Sequence, residues 1–201
     1  MKRAIVVRFL IFTLLALVTR AEAQATHSTQ AASASIIQNP KRTEADRKAL
    51  LAKAQRGDAR SQFWLGAAHE QGWFGKTDFQ EALKWFRKAA ARGNADAQSS
   101  LGQMYEDGEG VEQNYVLAAK WYRKAADHVP DLGGAGQGRN NLGLLYMRGL
   151  GVAKNQVQAY TWFRLANTEA NLAHAKARMT PAQVLEAERM AWEWKSLHPE
   201  R

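Results

Sequence analysis

A spaced phrase recurs three times along the chain: a Leu-Gly pair, a Gly seven residues beyond the Leu, an Ala ten further on and a Trp three after that. The copies are Leu65-Gly66, Gly72, Ala82, Trp85, then Leu101-Gly102, Gly108, Ala118, Trp121, then Leu142-Gly143, Gly149, Ala159, Trp162. They are offset by 36 and then 41 residues. A period in that range marks a stacked-repeat architecture, in which each unit lacks a complete core and completes it on its neighbour's surface. The expected fold is all-α: an α-solenoid of stacked antiparallel helix pairs, about three repeats closed by terminal capping helices.

Residues 58–93 form the first repeat, 94–137 the second with an insertion loop, and 138–170 the third. Aligned without gaps, the first two match at thirteen of 36 positions. In the second, Ala97, Leu101, Met104 and Tyr105 share one helical face. Gly102 beside that stripe lets a second helix approach closely, and Gly108 stops the first helix in the left-handed conformation. Gly108-Glu109-Gly110-Val111 then turns the chain into a second helix with Tyr115, Ala118, Trp121, Tyr122 and Ala125 inward. The third repeat reproduces the pattern. The first departs at the turn, where Gly72-Trp73-Phe74-Gly75 either exposes two aromatics or folds them over the edge of the stack.

The ends follow from the same phase. Ala54-Gln55-Arg56-Gly57 lies 36 residues before Ala90-Ala91-Arg92-Gly93. Residues 44–57 are thus the second half of a degenerate repeat, an N-terminal capping helix with Thr43 as its cap. Residues 171–201 supply C-terminal capping helices. The last begins at Thr180-Pro181 with Gln183 three after the cap and carries Val184, Leu185, Ala187, Ala191 and Trp194. The extra five residues lie in Pro130 to Gly138 and are expected as a flexible surface loop.

These residues resemble the Sel1-like repeat family, longer-period relatives of tetratricopeptide repeats. The matching signature is Leu101-Gly102, Tyr105, Gly108, Gly110-Val111, Asn114, Ala118, Trp121 and Ala125, and Leu142 to Ala166 carries it at every one of those positions. The tail from Met179-Thr180-Pro181 to Trp194 resembles the closing helix of bacterial members. The resemblance implies a right-handed superhelix whose concave groove is lined mainly by first helices, and a scaffold or adaptor with no shared catalytic residues. The cysteine-rich exported branch of that family does not apply, because the chain has no cysteine.

The first 23 residues have the three parts of a secretory signal: basic Lys2, Arg3 and Arg8, an apolar run from Phe9 to Val18, and a small-x-small site at Ala21-Glu22-Ala23. That ten-residue run, with Thr13 inside it, is half the roughly 20 residues a spanning helix needs, so cleavage before Gln24 is expected. The expected location is the periplasm, with secretion as the alternative. Residues 24–43, rich in Ala, Ser, Thr and Gln, form a flexible linker. The leader contributes +3 of the net +9, leaving a mildly basic mature chain of +6. That balance favours solubility and weak attraction to an anionic envelope surface over nucleic-acid binding.

Candidate chemistry is sparse. His69-Glu70 begins a zinc-protease motif, but Trp73 stands where the second His belongs. His69 occupies the slot of Tyr105 and Tyr146, a core or rim position. Gly133 to Gly138 lacks the Lys-Ser or Lys-Thr of a phosphate loop. Glu106, Asp107, Glu109 and Glu112 do not follow a calcium-loop pattern. No metal site, cofactor site or catalytic set is assigned. Lys84, Arg87, Lys88, Lys120, Arg123 and Lys124 form a basic column on the outer face of the second helices. Trp85, Trp121, Trp162 and Trp194 are expected in the core.

Phe63 and Trp64 stand where the other repeats have Ser99, Ser100, Asn140 and Asn141. They are either binding anchors or a cover for the capping helix. Helical phase sets Phe63, Ala67, Gln71, Ser99, Gln103, Asp107, Asn140, Leu144 and Arg148 opposite the core stripe. With Trp64 they form the expected partner-binding concave face. The expected function is an exported, non-catalytic adaptor for a protein or peptide. The alternatives are a cell-envelope hydrolase and a structural subunit that associates with itself through an exposed stack end.

Overall fold

The computed structural model describes residues 44–128 and 133–199. The expected signal peptide, the linker with its Thr43 cap and residues 129–132 of the insertion lie outside them. The described residues form nine helices and no strand: α1 Glu44–Gln55, α2 Ala59–Glu70, α3 Phe79–Ala91, α4 Ala95–Asp107, α5 Tyr115–Ala126, α6 Gly134–Arg148, α7 Gln156–Leu165, α8 Glu169–Lys176 and α9 Pro181–Leu197. Helices α2/α3, α4/α5 and α6/α7 pack as pairs, α3 packs on α4 and α5 on α6, and the first helices α4 and α6 also touch. This is the stacked helix-pair solenoid that the period implies.

Short polar side chains start most of these helices. Asp58, Asp78, Asn94, Asn114 and Asn155 each accept a hydrogen bond from the backbone N–H three residues on, at 2.7–3.0 Å. Each bond satisfies a donor that the helix start would otherwise leave unpaired. At the far end of α4, Gly108 stops the helix with φ +75°, and Gly149 does the same for α6.

Inside each pair one glycine lies under one aromatic ring. A Cβ built on Gly66 would come 2.7 Å from the Phe86 ring, on Gly102 2.5 Å from Tyr122, and on Gly143 2.6 Å from Phe163. All three rings are fully buried. The helices therefore meet at a distance that only glycine permits. Between pairs the join is polar. Gln62, Gln98 and Arg139 occupy the same repeat position and are buried. Each donates to a carbonyl in the last turn of the preceding second helix: Ala54, Ala90 and Ala126, at 2.9, 3.2 and 3.0 Å. At Ala54 and Ala90 the side chain adds a second bond beside those from the Gly57 and Gly93 backbone N–H groups. That α1 supplies the first of these carbonyls makes it structurally the second half of a missing repeat.

The turn of the first repeat is packed differently. Gly110 and Gly151 press on the backbone at Phe79 and Tyr115, the first residues of the preceding second helices. Phe74 is their counterpart, and its ring folds against His69, with Arg47 of α1 over it.

Three expectations are corrected. The glycine-rich stretch is not wholly a surface loop, because α6 begins at Gly134 and runs through Gly138. A Cβ on Gly134 would strike the Asp96 backbone at 2.3 Å, and one on Gly138 would meet Ala125 at 2.7 Å. Those glycines let an added helical turn wedge between α4 and α5. Trp162 is buried, but Trp85 and Trp121 are only half-buried, with Lys88 and Lys124 ammonium groups 4.1 and 4.5 Å from their ring centroids. Trp194 too is half-buried, edge-on to Trp162. Leu185 points outward, 73% exposed.

Helix α9 is otherwise the expected lid. Its Thr180–Gln183 capping box and first-turn Pro181 are formed, and Ala187 and Ala191 are buried on the stack. Glu188 accepts from the Tyr160 hydroxyl at 2.7 Å and from Arg164 at 3.1 Å, tying α9 to α7. Burial and that carboxylate push the Tyr160 hydroxyl up to about 12.

Replacing Gly102 with valine tests the close approach. The added atoms collide with Tyr122, and overpacking of this kind costs about 1–3 kcal/mol. Urea unfolding followed by circular dichroism should show a lower midpoint with helical content retained. An unchanged midpoint would mean the pair does not depend on this contact.

Candidate functional site: the first-helix face

The expected binding residues divide into two sets. Gln71, Gln103, Asp107 and Arg148 are exposed. Ser99 is 3% exposed, so it does not line an open surface. The counterparts of Ser99 behave alike. Phe63 sits in an apolar cluster with Leu101 and Ala97, its ring 5.8 Å from Phe86. Asn140 accepts a 2.7 Å hydrogen bond from Asn171 of α8. Phase within one helix placed this column opposite the core stripe but took no account of the neighbouring first helix on that side.

Two other expected residues are also engaged. Ala67 is buried, and Leu144 packs against the buried cluster of Tyr160, Phe163, Ala175 and Ala187. Trp64 is half-buried, its ring stacked on Trp73 at 6.5 Å and tilted against Phe63 at 5.1 Å. The aromatic pair thus packs on the rings of Phe86 and Trp73 and stays partly open.

The structure adds a polar group that phase alone did not reveal. Tyr122 occupies the position of Phe86 and Phe163, and its hydroxyl donates to Glu106 at 2.8 Å, with Asn141 bonded to the same group. Burial and the Glu106 charge push the Tyr122 hydroxyl far above its ordinary range. A tyrosine where two equivalent core positions hold phenylalanine was the available signal, since a buried hydroxyl requires a partner.

The outer basic column is less free than its run of charges implies. Lys84 pairs with Glu81 at 2.5 Å. Arg87 donates to the Tyr105 hydroxyl at 3.0 Å and Arg123 to that of Tyr146 at 2.8 Å, again one bond per junction. Lys120 is exposed. Among the described residues, no group of three or more His, Cys, Asp and Glu side chains could hold a metal ion. No helix there is long and apolar enough to cross a membrane.

Repeated helix pairs, interlocked by one glycine contact within each and one side-chain-to-carbonyl bond between them, define an α-solenoid scaffold. The Sel1 repeat model matches residues 59–94, 95–128 and 137–171, and the chain belongs to the Sel1 repeat family. Such repeats commonly mediate protein–protein interaction. Among solved structures, the chain resembles c5321, a protective antigen of uropathogenic Escherichia coli with an SLR fold. The two share 32% identity at a TM-score of 0.68, over 78% of this chain and 34% of that one. A Sel1 repeat protein from Oxalobacter formigenes is 33% identical at a TM-score of 0.54, over 61% of this chain and 49% of that one. The chain thus spans about a third of the first and half of the second. No curated protein matches it.

Glu70 gives this face a pH signature. Burial, reinforced by the charge of Glu109, holds its carboxyl above the usual range against an opposing bond from Gln71. A carboxyl raised on folding costs stability while ionised, and the cost disappears as pH falls through its folded value. Glu70→Gln should therefore raise the urea midpoint at pH 7, with the gain shrinking toward pH 4. A gain that is the same at both pH values would rule out ionisation as its cause.

Proposed function

We propose that the chain is an exported, non-catalytic adaptor that holds a protein or peptide partner against the concave face formed by its first helices. The observation that carries this reading is the row Gln71, Asp107 and Arg148. These residues occupy one repeat position, are all exposed, and are neutral, acidic and basic in turn. The repeat constrains its glycines, alanines and buried rings but leaves this position free to vary. A surface of that kind suits recognition of one partner more than generic solubility. Gln103 extends the row by one helical turn.

The test places a photo-crosslinking residue at Gln103 in the native cells and identifies captured proteins by mass spectrometry. One dominant partner is expected, lost when Asp107 and Arg148 are reversed in charge together. Leu144 is unsuitable for this purpose, because its side chain supports α8 and α9. Capture only from a probe at Lys120 on the outer helices would remove the function from the first-helix face.

A second reading, self-association through the stack end, is favoured by one feature. Leu185 and Trp192 of α9 are 73% and 70% exposed and lie seven residues apart, on one side of the helix. Light scattering coupled to size exclusion should then show a dimer that Trp192→Ser dissociates. A monomer at all concentrations would dismiss it.

A further inference from the structure

We propose that the N-terminal end of the stack carries a second docking site, a basic cleft between α1 and α3 that takes an extended acidic peptide segment of a partner protein. It lies apart from the row Gln71, Asp107 and Arg148 and does not depend on that row binding anything.

The cleft, of about 670 Å³, lies between the end of α1 and the outer side of α3, with Arg56, Gly57, Gln62, Trp85, Lys88 and Arg92 in its walls. A second cleft of about 580 Å³ shares Arg56 and Gly57 with it and reaches Lys53, Arg60 and Trp64. Both border the α1–α2 turn, and each has a tryptophan in its wall, Trp85 in the first and Trp64 in the second. Five cations border them. The acid among their lining residues, Asp58, already caps α2 through the Ser61 N–H. None of the five cations forms an ion pair with a carboxylate among the described residues.

Comparison with the next junctions shows that this one is unfinished. One repeat on, Gln98 bonds both the Ala90 carbonyl and the His128 ring, and Asp127 stands among the lining positions. At the third junction Arg139 fills the space, and Asp127 and Glu169 lie at the corresponding places. At the first, the counterpart of His128 is Arg92, which lies against Gly57 and leaves Gln62 Oε1 buried without a partner. The amide cannot be turned round, because its nitrogen is held by the Ala54 carbonyl at 2.9 Å. Trp121 packs against two apolar clusters, whereas its counterpart Trp85 faces the cleft under Lys88. The site is thus a repeat junction that lacks the side chains and the acids that close the others.

The chemistry selects the occupant. Guanidinium groups grip carboxylates with two parallel bonds. An indole face takes an apolar side chain. Cations distributed along a trough suit several carboxylates in a row better than one point anion, and a concave floor fits a chain better than a planar bilayer. The chain's own linker is excluded by charge: residues 24–43 contain Lys41 and Arg42 and no Asp or Glu.

The test titrates the full chain into a fluorescein-labelled twelve-residue peptide alternating glutamate and leucine, followed by anisotropy at low salt. Saturable binding that weakens steeply with added salt is expected. Arg56→Glu with Arg92→Glu should cost at least about tenfold in affinity, the range for desolvated charge pairs. Trp85→Ala should weaken binding several-fold, a loss that simple charge attraction would not produce. Lys120→Glu with Lys195→Glu makes the same charge change elsewhere and should have no such effect. Equal losses in the two double variants, or no saturable binding, would overturn the site. Binding to phosphatidylglycerol vesicles but not to the peptide would also overturn it, in favour of a membrane surface. Circular dichroism checks that each variant is folded.

Discussion

Everything in this stack depends on how close two helices can come. A pair of ten- to fifteen-residue helices has too little apolar surface to hold itself together, and its stability comes from what it shares with its neighbours. Placing glycine directly under Phe86, Tyr122 and Phe163 removes the layer of side chains that normally separates helix axes. The large rings then reach through to the opposite side. For Tyr122 the buried hydroxyl donates to Glu106 of the first helix. The ring that fills the pair thereby also ties its second helix to its first by a hydrogen bond.

Charge is distributed unevenly along the stack. Cations that could serve as free binding groups are partly committed to structure, as Arg87 and Arg123 are to tyrosine hydroxyls at successive junctions. Uncommitted cations collect at the N-terminal turn, where the repeat pattern is interrupted. The first-helix row, by contrast, alternates in character from repeat to repeat. A partner engaging both would meet a graded, polar surface in one place and a concentrated positive field in the other, two interactions with different salt dependence.

Much of this was legible in the sequence. The glycine phrase gave the helix pairs, their turns and the close approach at Gly102, because periodicity is a property of the chain itself. The half-repeat at 44–57 was readable from Ala54-Gln55-Arg56-Gly57 for the same reason. Ser99 proved buried, and Asn140 and Leu144 are partly engaged by α8 and the C-terminal cluster, contacts that the phase of one helix does not contain. Gly134 and Gly138 looked like loop residues, since glycine in a run signals flexibility unless a neighbouring backbone explains it. Trp85 and Trp121 were assigned to the core because they are periodic with Trp162, but each lies partly open under a lysine of its own helix.

Arg139 is unlike the two glutamines with which it aligns. It bonds the carbonyls of both Ala126 and His128 and lies over the ring of Trp194 on the closing helix, 4.7 Å from its centroid. A single buried side chain thus clasps the second pair, the third pair and the lid. The two C-terminal junctions are coupled through one residue, whereas α1 is joined by the Gln62 bond to Ala54, with half of that amide unpartnered, and by Arg47 over Phe74. Fluctuations in a linear array open first where the coupling is weakest. The solenoid therefore has a hinged end and a locked end, and the hinged end is the one that carries the basic trough.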